Sequence, residues 1–310
     1  MKISIIIVTY NGMQWLERCL ASIPKKYDVV IVDNNSTDTT VQFIEQNYSQ
    51  AKLFKEKENL GFGQANNKGI SYALQNEAEY IYLLNQDAYL ENDTIEQLIK
   101  VHQCQPAYGI LSPIHTNEEK TRLDKNFSNY VSYRGNAQFY SDFVLQQEKQ
   151  IVYEVPFVNA AGWLLPKNTL LNVGGFDPIF FHYGEDDNYC QRVCYHNFKI
   201  GIVPNAFMVH DREDRPAKKT PLGSEAFYKK RERNLKVKYA DITQSHLPNF
   251  YKLIEKARKN YRKQSLLLKW KNAKQHKQLL KLYLKIQKDI ECSVVNNKQK
   301  GAWYLQIDQE

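Results

Sequence analysis

An α/β fold, with a mostly parallel central sheet flanked by helices and a basic helical appendage at its end, is predicted by three observations. Strand and helix signals alternate through the first 112 residues, which is the pattern of a parallel sheet. The first strand contains an unbroken apolar run, Ile5 to Val8, as suits a strand covered on both faces. Charge divides along the chain: residues 1–210 carry 17 Lys+Arg against 23 Asp+Glu, and residues 211–310 carry 25 against 11.

The elements follow in order. Ile3–Val8 leads into a helix near Gln14–Ser22, Val29–Val32 into Thr39–Asn47, Lys52–Phe54 into Gly63–Gln75, and Tyr80–Leu84 into Asp93–Gln103; Tyr108–Ser112 is a further strand. Each of the first four strands runs into a polar cluster: Thr9-Tyr10-Asn11, Asp33-Asn34-Asn35, Glu58-Asn59-Leu60-Gly61 and Asn85-Gln86-Asp87. Ligands of open α/β sheets bind outside the carboxyl ends of the strands, so four such clusters predict one site. Residues 115–150 are polar and Tyr-rich without a clear period and are expected to form a loop or small hairpin region. Val152–Val158 and Ile200–Val203 are read as strands, with helices at Pro166–Val173 and Asp186–Tyr195 between them. Beyond Pro221 the chain turns to basic helix, where Phe250, Leu253, Ile254, Ala257 and Tyr261, then Leu279, Leu280, Tyr283 and Ile290, recur at helical spacing.

Composition excludes several classes. With 310 residues, 43% hydrophobic and 25% charged, the chain can bury a large core, and no apolar stretch approaches bilayer length. The opening run is a core strand rather than a signal peptide, so a cytoplasmic location is expected. Cys19, Cys104, Cys190, Cys194 and Cys292 are scattered and odd in number, which fits reduced thiols. Cys190 and Cys194 share a helix face but match no zinc spacing. The basic last third points to an anionic partner, a membrane surface or nucleic acid.

Candidate chemistry sits at the strand ends. Asp33 can accept the imide N–H of uracil or thymine, or the run is simply a helix cap, since Ser36, Thr37 and Asp38 are all good cap residues. Glycines in Glu58–Gly69 allow backbone to approach a ribose or phosphate. This is not a dinucleotide fingerprint, because it follows the third strand and Asn66 occupies the offset of the last glycine. Asp87, after Tyr82-Leu83-Leu84-Asn85-Gln86, offers an oxygen to a hard divalent cation bridging a diphosphate, or is a turn residue. Three acids in a row, Glu185-Asp186-Asp187, follow a glycine- and aromatic-rich loop; their mutual repulsion favours a general base, against a solvated acidic helix start. His210 ends another apolar run, and with Asp87 it could hold one metal ion.

Taken together, Ile7-Val8-Thr9-Tyr10-Asn11, Val32–Asp38, Asn59–Gly63 with Asn66, Leu84-Asn85-Gln86-Asp87, Gly174-Gly175-Phe176-Asp177, Glu185-Asp186 and His210 resemble glycosyltransferase family 2, in its rhamnosyltransferase-like branch. The matches keep family order over roughly residues 2–240, with Arg233-Asn234 as a late element. The resemblance implies the GT-A fold over residues 1–240, with a nucleotide-binding part to about 112 and an acceptor-side part from 113, followed by the appendage at 241–310. It implies an inverting transfer of a sugar from a nucleotide-diphosphate donor, dTDP-rhamnose ahead of a UDP-sugar, to a hydroxyl of a surface polysaccharide or lipid-linked glycan. Asp186 would be the general base beside Glu185. Thr9, Tyr10, Asn11, Asp33, Asn35, Asn59, Gly63, Asn66, Asn85, Gln86 and Asp87 would bind the donor. Asp87 and His210 would hold Mg²⁺ or Mn²⁺, and Gly162, Trp163 and Asp187 would lie on the acceptor side. Asn85 replaces the first acid of the family's DXD motif, and Asn188 stands where relatives often carry an acid.

The basic helices suit the inner face of a cell membrane, with a homodimer also compatible with the sequence. No nucleic-acid partner is expected, since Tyr251, Tyr261, Trp270 and Tyr283 fall at helical packing positions. The alternative to an enzyme is a nucleotide-sugar-binding protein without turnover, suggested by Asn85.

Overall fold

A computed structural model describes residues 1–212 and 220–307; residues 213–219 and 308–310, including the last three of the expected appendage, lie outside the described residues. Strand β1 (Ile3–Thr9) is central and parallel to both neighbours, β2 (Asp28–Asp33) and β4 (Tyr80–Asn85), while β3 (Lys52–Lys55) is parallel to β2. The apolar run has the predicted cause. Ile5 and Ile7 pack with Leu16, Cys19 and Leu20 of α1 (Met13–Ala21), whereas Ile6 faces Ile70 and Ala73 of α3 (Phe62–Gln75). Helix α3 lies so close that a side chain at Gly69 would meet Ile6 Cγ2 at 2.5 Å. The register pairs Thr9 with Asp33 and Val8 with Asn85, so three polar strand ends emerge at one edge.

The sheet order is β3-β2-β1-β4-β8-β6-β9-β5, with β7 (Tyr153–Glu154) also on β9. The expected mostly parallel sheet is in fact mixed. β8 (Gly162–Pro166) runs against both β4 and β6 (Tyr108–Thr116), joining the parallel block β3-β2-β1-β4 to the parallel pair β6 and β9 (Lys199–His210). β5 (Ala88–Leu90) is antiparallel to β9. The strand expected at 152–158 shrinks to two residues because Pro156 cannot donate to a ladder. Where a loop or hairpin was expected at 115–150 there are two short helices, α5 (Lys125–Tyr130) and α6 (Ala137–Val144). Asp124 accepts from Phe127 N at 2.8 Å and Asn136 from Phe139 N at 2.8 Å, and both phenylalanines are buried. Such short helices show no sequence period, but each has its cap.

Helices α2 (Thr40–Asn47), α4 (Thr94–Cys104), α7 (Lys167–Val173) and α8 (Glu185–Tyr195) complete the α/β part. Then α9 (Glu225–Tyr239), α10 (Leu247–Leu266) and α11 (Trp270–Asn297) build a separate core from Leu235, Tyr239, Phe250, Ile254, Tyr283, Ile286 and Ile290. This helical unit is tied to the sheet domain. Buried Asp177 accepts through Oδ2 from Ser293 Oγ at 2.7 Å, Asn297 Nδ2 at 2.7 Å and the Tyr304 hydroxyl at 3.2 Å. Gly175 N donates to Trp303 O at 2.8 Å, and Gln306 N donates to Ser71 Oγ at 2.9 Å. All five cysteines are free, Cys19 and Cys190 buried. Among the described residues no helix is long and apolar enough to cross a membrane.

Candidate active site

The strand ends form a continuous hydrogen-bonded rim. Thr9 Oγ1 donates to Asp33 Oδ1 at 2.8 Å; Ser36 donates to the same carboxylate twice, Oγ to Oδ1 at 2.6 Å and N to Oδ2 at 2.9 Å. Tyr10 N donates to Gln86 Oε1 at 2.9 Å, and Gln86 Nε2 returns a bond to Tyr10 O at 3.2 Å, locking the β1 tip to the β4 tip. The third cluster is held by Asn34, whose Nδ2 donates to Gly61 O at 3.1 Å and whose Oδ1 accepts from Leu60 N at 3.2 Å; Asn59 Oδ1 accepts from Gly61 N at 2.8 Å. Asn11 and Asn35 adopt positive φ, 45° and 66°, a conformation that asparagine tolerates better than most residues and that turns both outward. Tyr10, Asn11 and Asn35 are exposed, and Asn59, Asn85, Gln86 and Asp87 half-buried. Asp33 is buried with its carboxylate engaged three times, so it shapes this wall from within.

The acidic helix start adjoins the rim. A Cβ on Gly61, at φ 80°, would stand 1.9 Å from Phe181 O, and one on Gly63 would stand 2.9 Å from Phe176 Cβ and 3.6 Å from Glu185 Cβ. Glycine is required at both places for the loop before α8 to reach α3. Asn67 clamps the same loop: Nδ2 donates to Phe176 O and Oδ1 accepts from Phe176 N, both at 2.7 Å. Within the first turn of α8, Glu185 is buried with Oε2 unpartnered. Burial raises the pKa of its carboxyl, Asp187 adding to the rise and Arg233 of α9 opposing it. Asp186 is pushed up to about 7, first by burial and then by the charges of Glu185 and Asp187. Burial also raises Asp187, which Arg233 offsets. The Arg233 guanidinium lies 5.4 Å from the Tyr183 ring centroid. The helix N-terminus favours anions, yet burial prevails and leaves a carboxyl group that exchanges its proton near neutrality.

A second charged group closes the site. The β5–β9 pairing sets Ala88 opposite His210, which brings Asp87 Oδ1 to 3.6 Å from His210 Nε2 despite their distance in sequence. His210 is buried, and its Nδ1 has no hydrogen-bond partner and lies 3.9 Å from Asp124 Oδ2. Asp124 is committed to Arg212, which grips it through Nε at 2.7 Å and NH2 at 2.6 Å. Burial alone would raise the Asp124 carboxyl, but the Arg212 bonds outweigh it and hold it below its ordinary value. Asp87 and His210 therefore offer one carboxylate oxygen and one imidazole nitrogen, a donor set that fits a divalent cation with further ligands from outside the protein. Among the described residues no group of three or more His, Cys, Asp or Glu side chains is arranged to hold a metal. Tyr130 of α5 connects the two groups. Burial pushes its hydroxyl up, the fields of Asp186, Asp124 and Asp187 add to this, and Arg212 opposes.

Of the residues expected in the site, the rim set, Asp87 with His210, and Glu185–Asp187 are brought together. Gly162 and Trp163 are not on an open acceptor face. Trp163 is fully buried, stacked at 6.0 Å on Phe176, and a side chain at Gly162 would meet Met208 Sδ at 2.3 Å. Their strand is interior because β4 and β6 flank it. Asn66 is buried and donates to Phe62 O within its own helix. Asn34 and Asn67 lay inside the strand-end segments but were given no role of their own, and Asp124, Tyr130 and Arg212 escaped the sequence reading. The Asp124-x-x-Phe127 cap was the one local signal.

Comparison with known proteins gives the family and the fold. The family described as Glycosyl transferase family 2 matches residues 4–167. A dTDP-rhamnosyl transferase of Shigella flexneri is 24% identical over 214 residues, covering 69% of this chain and 70% of that protein. An N-acetylglucosaminyl-diphospho-decaprenol L-rhamnosyltransferase of Mycobacterium tuberculosis is 26% identical over 231 residues, 67% of this chain and 75% of that one. The solved structure of S. aureus TarS 1-349 in complex with UDP superposes with a TM-score of 0.52 at 19% identity, over 78% of this chain and 65% of that chain, and shares the GT-A fold. With its strand-end rim and a family match over more than half its length, the chain belongs to glycosyl transferase family 2.

Proposed function

We propose that this glycosyltransferase moves a sugar, with inversion, from a nucleotide-diphosphate donor to a hydroxyl of a growing surface polysaccharide or lipid-linked glycan. The observation that carries the reading is the buried acidic helix start set against the strand-end rim, where burial and the charges of Glu185 and Asp187 push the Asp186 carboxyl up to about 7. Tyr10, Asn11, Asn35 and Asn59 would receive base and ribose, with Asp33 and Gly63 shaping the wall behind them, and Asn85, Gln86 and Asp87 would lie along the diphosphate. Ionised Asp186 would take the proton of the acceptor hydroxyl as its oxygen attacks the anomeric carbon opposite the departing diphosphate. Burial, then the charges of Glu185 and Asp187, raise Asp186 toward neutrality, and Arg233 opposes part of the upward shift of Asp187 on the acceptor side. Exposed Phe181 and Tyr183 offer rings against which an acceptor sugar can lie. Glycosyltransferases of this fold commonly use a divalent cation; Mg²⁺ or Mn²⁺ at Asp87 and His210 would supply positive charge against the leaving diphosphate.

The donor reading, dTDP-rhamnose ahead of a UDP-sugar, is supported by the names of the two rhamnosyl relatives. The lipid-linked acceptor is supported by the diphospho-decaprenol in the name of the mycobacterial one. Residues 1–240 would act as the catalytic domain at the inner face of a membrane, with 241–310 as the appendage. A nucleotide-sugar binder without turnover is the second reading, favoured by Asn85. The deciding experiment is a thermal-shift panel of nucleotide sugars with Mn²⁺ or Mg²⁺, followed by transfer assays with the stabilising donor. A donor at a hundredfold its Kd adds about 2.7 kcal/mol to stability. Release of nucleotide diphosphate by the wild type and none by Asp186→Asn is expected. Binding without release, with acceptor present, would establish the binder instead.

A further inference from the structure

The turn between α10 and α11 departs from ordinary surface chemistry. Leu266, Leu267, Leu268 and Trp270 are 84%, 51%, 67% and 67% exposed, four large apolar side chains within five residues at the far end of a helical hairpin. Single exposed apolar residues are normal, but a contiguous group marks a contact surface. Leu268 also adopts φ 53°, a left-handed conformation that glycine or asparagine would take at lower cost. The buried contacts of the hairpin lie nearer its base, at Phe250, Ile254, Ala257, Tyr283 and Ile286, so the tip contributes little to the core.

The surroundings of the tip identify its partner. From residue 256 to residue 288 there are twelve Lys and Arg and not one Asp or Glu. Lys263, Lys269, Lys271 and Lys274 are all exposed close to the turn. Leucine and tryptophan enter the boundary between headgroups and acyl chains, while lysines beside them meet anionic headgroups. A soluble anionic partner such as nucleic acid would draw on the lysines but leave three leucines without a role.

We infer that the α10–α11 tip is a membrane-docking element, inserting Leu266, Leu267, Leu268 and Trp270 into the interface of an anionic bilayer with the neighbouring lysines on its headgroups. The docking is independent of the reaction; only its use, bringing a lipid-linked acceptor to the site, rests on the proposed function. Helix α9 packs against this hairpin and carries Arg233 beside the acidic helix start, so a docked hairpin keeps the site near the bilayer.

The test is cosedimentation of the full chain with phosphatidylcholine vesicles, with and without phosphatidylglycerol, together with quenching of tryptophan by brominated lipid. Binding only to the anionic vesicles is expected, weakened by salt. Leu266→Ser with Leu268→Ser and Trp270→Ser should lower partition about tenfold or more, as should Lys263, Lys269, Lys271 and Lys274 all changed to Gln. Trp270→Phe should remove the quenching, and an unchanged Tm in every variant shows that the fold is intact. No partition into anionic vesicles would overturn the proposal. Binding that ignores the leucine and tryptophan changes would overturn insertion. A lipid-free dimer that the apolar variant dissociates would assign the tip to a second copy of the chain. Since no readout here uses turnover, failure of docking and failure of the transferase reading are separately visible.

Discussion

Replacing Asp186 by Asn should abolish transfer and, near pH 8, stabilise the protein. The carboxyl is raised from an ordinary 3.8 to about 7 by burial and by Glu185 and Asp187. Between those values the native state keeps a proton that the unfolded chain has released, so stability falls as pH rises through the window, and the whole cost is present above it. Each pH unit corresponds to about 1.36 kcal/mol, which bounds the cost at about 4 kcal/mol. Half of that bound corresponds to roughly 4 °C in Tm. Thermal melts of wild type and Asp186→Asn near pH 5 and pH 8 should therefore diverge at both values, and by about 2 kcal/mol or more further at the higher pH. In parallel, kcat/KM of the wild type should fall about tenfold per unit below neutrality as the base is protonated. Asp187→Asn should move that limb to lower pH by removing one repelling charge. Equal melts at both pH values would refute the burial argument, and wild-type-like turnover by Asp186→Asn would refute the base assignment.

Asp87→Ala should weaken metal-dependent donor binding while leaving the fold intact, since Asp87 is half-buried; isothermal titration with and without Mn²⁺ reads it, and unchanged metal dependence would count against the cation site. Gly61→Ala places a methyl group 1.9 Å from Phe181 O at φ 80°, so it should cost about 2 kcal/mol or more in urea unfolding, and a neutral result would show that the loop before α8 is not held against α3. Asn67→Ala leaves the backbone N–H and C=O of Phe176 without partners and should cost roughly 2–4 kcal/mol, with greater proteolysis near Gly174–Gly184 than elsewhere.

The parallel half of the sheet was legible because β1, β2 and β4 are short apolar runs leading into asparagine or aspartate, and burial on both faces requires that composition. The rim was legible for the same reason. β8 left no such trace: Gly162 is set by the closeness of Met208 and Tyr82, which belong to other strands. Asp124 and Arg212 form an ion pair across 88 residues, and nothing local in either segment encodes it. His210 was found from its own apolar approach, but its nearness to Asp87 comes from antiparallel register. Asp33 carried two readings in the sequence, and the three bonds it accepts explain why a strand-tip carboxylate can be a structural element of a binding wall.

The bonds on Asp177 have a consequence for the order in which the protein can be completed as it is made. Its donors Ser293, Asn297 and Tyr304 follow it by up to 127 positions. At ribosomal rates of about 5–20 residues per second, roughly 6–25 s separate synthesis of this carboxylate from that of its last partner. During that interval β1 to β4 already have their strands and covering helices, while the loop leading to Glu185 and Asp186 still lacks the helix and tail that fasten it. The β1 to β4 half of the sheet can thus take shape during translation, whereas the segment carrying Glu185 and Asp186 is secured only once Ser293, Asn297 and Tyr304 have left the ribosome and folded back.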